Sequence, residues 1–150
     1  MLKTNLDGKR AVVTAGGSGL GLVIAETLSR SGADVYVCDI DTESIKNLPA
    51  DLRGTVVDVS EPEAVEGWLL SIVADGVDIL INNAGISGPT AAIEDIAVKD
   101  WQECLGTNLD AMFFCSRHVA ATMKEANSGV IVNLSSTAGF LGMPLRAPYV

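Results

Sequence analysis

Glycines stand at 16, 17, 19 and 21, between the apolar run Ala11-Val12-Val13 and an amphipathic stretch that begins at Leu20. Without a Cβ, a chain can turn tightly there and let a ligand approach its backbone. A helix that opens directly afterwards presents free N–H groups and the positive end of its dipole, so the chemistry on offer is anion binding, most simply of a pyrophosphate. The common dinucleotide spacing G-x-G-x-x-G is not met, because Gly17-Ser18-Gly19 is followed three residues later by Leu22, and no P-loop lysine is present. A loop that merely packs a helix close to a strand is the alternative on these residues alone. Asp39 lies 18 residues beyond Gly21 at the end of the apolar run Asp34 to Asp39. A carboxylate there can accept the hydroxyls of an adenosine ribose and would repel a 2′-phosphate, and the loop offers Ser18 rather than Arg or Lys beside it. This favours NAD over NADP. Ser135, Ser136 and Tyr149 carry hydroxyls that are unremarkable singly. His118 is the only histidine and has no Asp or Ser at a triad-like position, so it reads as a surface or packing residue.

Elements that could position these groups follow from the apolar pattern. Ala11-Val12-Val13 has no polar alternation, as in a strand buried on both faces of a parallel sheet. Leu20 to Ser31 places Leu20, Ile24, Thr27 and Leu28 at helical spacing, with Gly32 as a stop. Asp34 to Asp39 reads as the second strand, Thr42 to Leu48 as a short helix ending at Pro49, and Gly54 to Val59 as the third strand, with Asp58 at its end. Ser60-Glu61-Pro62-Glu63 reads as a capping box that opens a helix to about Ala74 and buries Val65, Trp68, Leu69 and Ile72. Val77 to Ile81 is the fourth strand. Ile86 to Asp95 is a loop placed to border a substrate, and Val98 to Ala126 a long helical pattern carrying Trp101, Leu105, Leu109, Met112, Phe113 and Val119. Asn108, a poor helix former, sits in its middle. Gly129 to Leu134 is the fifth strand and delivers the serine pair.

Composition sets limits on function. The 150 residues suit one domain, and 48% apolar content suits a layered α/β protein. A net charge of −9 argues against nucleic acid or an anionic membrane surface as a partner through a basic patch. No apolar run reaches membrane-spanning length, and the N-terminus lacks the apolar core of a signal peptide, which leads to a cytoplasmic expectation. Cys38, Cys104 and Cys115 form no C-x-x-C pair and sit near no histidine cluster, so buried, reduced thiols and no metal site are expected.

In order along the chain these motifs resemble the short-chain dehydrogenase/reductase family. Thr14, Gly19 and Gly21 fit its T-G-x-x-x-G-x-G loop, with Ala15 where the first glycine is usual. Asn82-Asn83-Ala84-Gly85 fits the N-N-A-G that follows its fourth strand, and Ser136 precedes Tyr149 by the family's 13 residues. The resemblance implies a doubly wound Rossmann fold with strand order 3-2-1-4-5 onward, a dinucleotide-binding domain over 1–150 that continues past Val150, and an apolar edge at the fifth strand. It implies hydride transfer between NAD and a secondary alcohol or ketone, with Tyr149 as acid/base, Ser136 hydrogen-bonding the developing alkoxide and Asn108 holding a relay water. The family's Lys, four positions after the Tyr, would fall beyond Val150 and would lower the Tyr pKa. Cofactor contacts are expected at Thr14, Gly16, Ser18, Gly19, Leu20, Gly21, Asp39, Ile40, Asp58, Val59, Asn82, Ala84 and Gly85, with Asp58 and Val59 along the adenine and Asp58 equally open to plain turn chemistry. A homodimer or homotetramer is implied. A non-catalytic NAD-binding fragment or sensor is the rival.

Overall fold

A computed structural model describes residues 4–150; Met1 to Lys3, part of the stretch read against a signal peptide, lie outside the described residues. The apolar runs form strands β1 (Arg10–Thr14), β2 (Asp34–Asp39), β3 (Leu52–Val56), β4 (Ile79–Asn82) and β5 (Val130–Asn133), all parallel in the order β3-β2-β1-β4-β5. Ala11, Val12 and Val13 at the centre are fully buried, which is why β1 shows no polar alternation. Val12 and Leu80 face one apolar cluster, and Ala11, Val13 and Ile81 face another. Helices α1 (Gly19–Arg30) and α2 (Thr42–Lys46) belong to the second cluster's face. Helix α3 (Pro62–Val73) covers the first, together with α5 (Ala111–Ala126). The strand order reverses between β1 and β4, and a crevice at the carboxyl ends of strands flanking such a switch point is where doubly wound sheets hold ligands.

Several boundaries differ from the sequence expectation. β3 begins at Leu52 and ends at Val56, not Gly54 to Val59, because Leu52 pairs Val35 and Val56 pairs Asp39 in register with β2. Asp58 and Val59 therefore lie past the strand, on a segment that turns Val57 and Val59 into the core. No capping box forms at α3. Pro62 takes the first helical position and makes Glu61 the cap residue, while Ser60 turns its hydroxyl to the Asp58 carboxylate at 2.6 Å. The expected four residues of α3, Val65, Trp68, Leu69 and Ile72, are all buried.

In α1 the buried positions are Gly21 and Ala25, with Leu22, Ile24 and Leu28 packed beside them, whereas Leu20 points outward at 61% exposure. The long helix is divided. Helix α4 (Val98–Leu105) passes through a π-helical turn, Gly106–Asp110, into α5, and the Ala111 N–H donates to the Gly106 carbonyl five residues back. Trp101, Leu109 and Phe113 are exposed, and the buried stripe consists of Cys104, Ala111, Cys115, Val119 and Met123. Ala111, Cys115, Val119 and Met123 share one apolar layer with Trp68 and Leu69 of α3. Asn127 ends α5 in the left-handed conformation, φ 47°. β5 presents Val130, Ile131 and Val132 to solvent as an apolar edge, as expected. Among the described residues no helix is long and apolar enough to cross a membrane.

Candidate functional site

Thr14 closes β1, and its hydroxyl oxygen accepts the N–H groups of both Asn83 and Ala84 at 3.0 Å. The Asn83 side chain returns the link by donating to the carbonyls of Thr14 and Ala15, each at 3.0 Å. One residue earlier, Asn82 donates to the Asn133 side chain on β5 at 2.7 Å and to Ser116 of α5 at 3.2 Å. The N-N-A-G amides thus lock the ends of β1, β4 and β5 together at the switch point. Thr14 and Asn82 are only 1% and 2% exposed, so their side chains build the cleft floor.

The four glycines divide by role. A Cβ on Gly16 would press into the Val37 side chain, and one on Gly21 would collide with the Ala15 carbonyl and approach Asn83 Nδ2 to 2.5 Å, so these two serve the packing of loop, strand and helix. Gly17 leaves space for Asp39, whose carboxylate accepts the Gly17 N–H at 3.0 Å and the Asp41 N–H at 3.1 Å. Gly19 alone has positive φ, +53°, with nothing within 4 Å of its Cβ direction. Its bare backbone faces open space at the start of α1, where Ser18 caps without a side-chain bond. A group with phosphate oxygens fits that geometry. Ala15, in the place of the family's glycine, takes φ +48° all the same, so the substitution leaves the turn intact.

Two cavities run along the strand ends and share the wall Ala84-Gly85-Ile86. The smaller, about 350 Å³, is bordered by Ala15, Asp39, Ile40, Asp58 and Val59. Asp58 there accepts the N–H and hydroxyl of Ser60 at 2.9 and 2.6 Å, which is turn chemistry, while still bordering the cavity. Next to it Asp41 caps α2, and hydrogen bonds from the Ser44 hydroxyl and the Glu43 N–H hold its carboxyl below the usual range. The larger cavity, about 550 Å³, brings Leu20, Asn108, Ser136 and Tyr149 together with Leu109 and Met112. Ser136 is half-buried and accepts the Ala138 N–H at 3.2 Å, which leaves its own proton to donate. Ser135 is exposed. Tyr149 is held by its N–H to the Arg146 carbonyl at 2.9 Å.

Asn108 reaches this cavity because the π turn displaces it from a regular helical position. Its amide is held by Ile86, accepting that N–H at 2.7 Å and donating to that carbonyl at 2.8 Å, with Cys104 Sγ 3.3 Å away. The side chain clamps the loop after β4 while bordering the cavity that holds Ser136 and Tyr149. Ile86 opens the loop expected beside the substrate, whereas the contact of Cys104 with Asn108, one helical turn on, was not expected from the sequence. All three cysteines are free and buried, and burial pushes the Cys115 thiol up to about 12. His118 is half-buried on α5 and borders neither cavity.

The short chain dehydrogenase family model matches residues 9–150. Gluconate 5-dehydrogenase of Gluconobacter oxydans is 36% identical over 154 residues, covering 97% of this chain and 60% of that protein. D-threitol dehydrogenase of Mycolicibacterium smegmatis is 33% identical, covering 96% and 58%. The crystal structure of an NAD+-bound xylitol dehydrogenase superposes with a TM-score of 0.89 at 33% identity, over 96% of this chain and 59% of that one. The chain thus spans about 60% of the length of the curated relatives it matches.

Proposed function

The chain belongs to the short-chain dehydrogenase family, and from that premise we propose that the whole protein transfers a hydride between a secondary alcohol or its ketone and NAD. What carries the reading is the convergence of Ser136 and Tyr149 on one cavity that shares a wall with a second cavity bordered by Asp39. Bound NAD supplies the hydride acceptor, and every other role falls to the protein. The N-terminal turn of α1 and the bare backbone of Gly19 take the pyrophosphate. Asp39, with lone pairs beyond those given to Gly17 and Asp41, takes the ribose hydroxyls and disfavours a 2′-phosphate. The xylitol dehydrogenase neighbour binds NAD, in keeping with this choice.

Tyr149 accepts the alcohol proton at its phenolic oxygen as the C–H bond breaks, and Ser136 donates to the same substrate oxygen. A phenol ordinarily titrates near 10, so the role requires a cation beside Tyr149, which the family resemblance puts four residues on. Asn108 keeps Ile86, and with it the shared wall, in place. Exposed Trp101 of α4 and Phe113 of α5 support a homo-oligomer. Alcohol or sugar substrates are in line with the names of the gluconate, threitol and xylitol enzymes.

The test is Tyr149→Phe in the full protein, which removes one hydroxyl. NAD affinity should survive while kcat falls about 10²- to 10⁴-fold, the usual loss on deleting a general acid/base. Alcohol oxidation within about threefold of the parent would remove Tyr149 from the mechanism, and NAD binding without any turnover by the parent would leave a binding protein.

A further inference from the structure

Cys104 lies on α4 with no exposed surface, and its thiol takes no part in the chemistry of Ser136 and Tyr149. Its Sγ is nonetheless the point where three segments of the chain meet. One helical turn on, Asn108 Nδ2 lies 3.3 Å away and has one proton beyond the one it gives the Ile86 carbonyl, so the sulfur accepts that proton. From the loop after β4, the Ile86 carbonyl stands 3.8 Å from the sulfur. From the segment that enters Tyr149, the Pro148 carbonyl stands at 3.6 Å.

The thiol is engaged here as a polar group and not only as filler. Burial, with the Glu103 carboxylate adding to it, pushes the Cys104 pKa up, so the sulfur keeps its one proton. The shorter of its two carbonyl contacts, Pro148, takes that proton. The junction is also tightly closed: a Cβ on Gly88, at φ +63°, would come 3.0 Å from Cys104 Sγ and 3.4 Å from Pro148 Cγ. A fully buried sulfur has no side open to a further group.

The segments joined in this way are those that build the cavity of Ser136. Ile86, Asn108 and Tyr149 all border it. The Pro148 carbonyl belongs to the planar peptide whose nitrogen is that of Tyr149, so a shift of that oxygen is a shift of the backbone from which the Tyr149 ring projects. We infer that Cys104 is a positioning residue for the hydride transfer, its thiol fixing the Tyr149 backbone against Asn108 and the wall at Ile86. The inference rests on the dehydrogenase reading and adds a residue that touches neither alcohol nor NAD. A thiol bond is weak, so alignment suffers from its loss more than the fold does. Reacting groups misplaced by about 1 Å lose on the order of 100-fold in rate.

The experiment follows NADH formation by the full protein with gluconate, D-threitol and xylitol, comparing Cys104→Val, which fills the space without donor or acceptor, with Cys104→Ser, which keeps both. Cys104→Val should lower kcat about tenfold while the NAD Kd stays within about twofold and the urea midpoint is unchanged or raised. Cys104→Ser should be no more stable than Cys104→Val, because a buried hydroxyl is the poorer filler, yet it should recover part of the lost kcat. A thiol that only fills space gives the reverse order, with the better filler the better enzyme. A Cys104→Val kcat within about twofold of the parent, or a Cys104→Ser protein no faster than Cys104→Val, overturns the inference while the dehydrogenase reading stands. If Cys104→Val does not fold, Cys104→Ser against Cys104→Ala decides by the same order. No NADH from the parent with any alcohol overturns both.

Discussion

Replacing Gly21 by Ala tests whether the loop that would carry the cofactor is built by close packing. A Cβ at Gly21 would lie 2.5 Å from Asn83 Nδ2, 3.0 Å from the Ala15 carbonyl carbon and closer still to its oxygen. None of these atoms is free to yield. Ala15 is already in the left-handed region at φ +48°, and Asn83 Nδ2 holds both the Thr14 and Ala15 carbonyls at 3.0 Å. Relief therefore needs the first turn of α1 to move outward, about 1–3 kcal/mol for an overpacked site, and the loss of at least one of those hydrogen bonds, about 1 kcal/mol. The better helix propensity of Ala offsets up to about 1 kcal/mol. With the full offset the balance is a loss of about 1–3 kcal/mol, a large share of the roughly 5–15 kcal/mol typical of a domain. Urea unfolding followed by circular dichroism measures it, with Gly67→Ala as the control, since nothing lies within 4 Å of that helical glycine. Gly67→Ala should be neutral or stabilising by up to about 1 kcal/mol. A Gly21→Ala protein within about 0.5 kcal/mol of the parent would refute the packing argument, because every contributing cost above exceeds that.

Three other expectations follow from the same geometry. Gly19→Ala should cost only about 1–2 kcal/mol of stability for its left-handed backbone, yet weaken NAD binding more than tenfold by calorimetry; unaltered affinity would make the loop a packing device throughout. Asp39→Ala in the full protein should raise kcat/KM for NADP relative to NAD, and a parent enzyme that already prefers NADP would show the ribose assignment to be mistaken. Asp78 is partly desolvated, which raises its pKa, but bonds from Lys9 Nζ at 2.8 Å and the Arg10 N–H at 2.9 Å outweigh this and hold it below its ordinary value. A depressed carboxyl stabilises above its unfolded pKa of about 3.9 and loses that contribution as pH falls through the folded value. Asp78→Asn should accordingly cost about 1 kcal/mol at pH 7 and progressively less as pH falls below the unfolded value of about 3.9, and a loss that does not shrink with falling pH would assign the effect to packing.

Local chemistry determined much of this protein. The unalternating Ala11-Val12-Val13, the glycine loop and the helix after it can be placed from the residues alone, because burial on both faces and the absence of a Cβ are properties of single positions and their neighbours. The order 3-2-1-4-5 came from family likeness, and the register of β1 with β2 and β4 realises it. Tertiary structure decided the rest wherever a residue's role depends on a partner far along the chain. The motif marks Thr14 and Asn82, but only the folded chain shows their partners: the Thr14 hydroxyl accepts the N–H groups of Asn83 and Ala84, and Asn82 Nδ2 donates to Asn133. The end of β3 was set by pairing with β2, which no pattern within 54–59 encodes. The period through Val98 to Ala126 reads as one helix; the π turn at Gly106–Asp110 divides it and turns Asn108 onto Ile86, 22 residues away. One additional residue in a helical turn leaves no trace in composition or spacing, since its compensation is a contact with a loop that only the folded chain brings near.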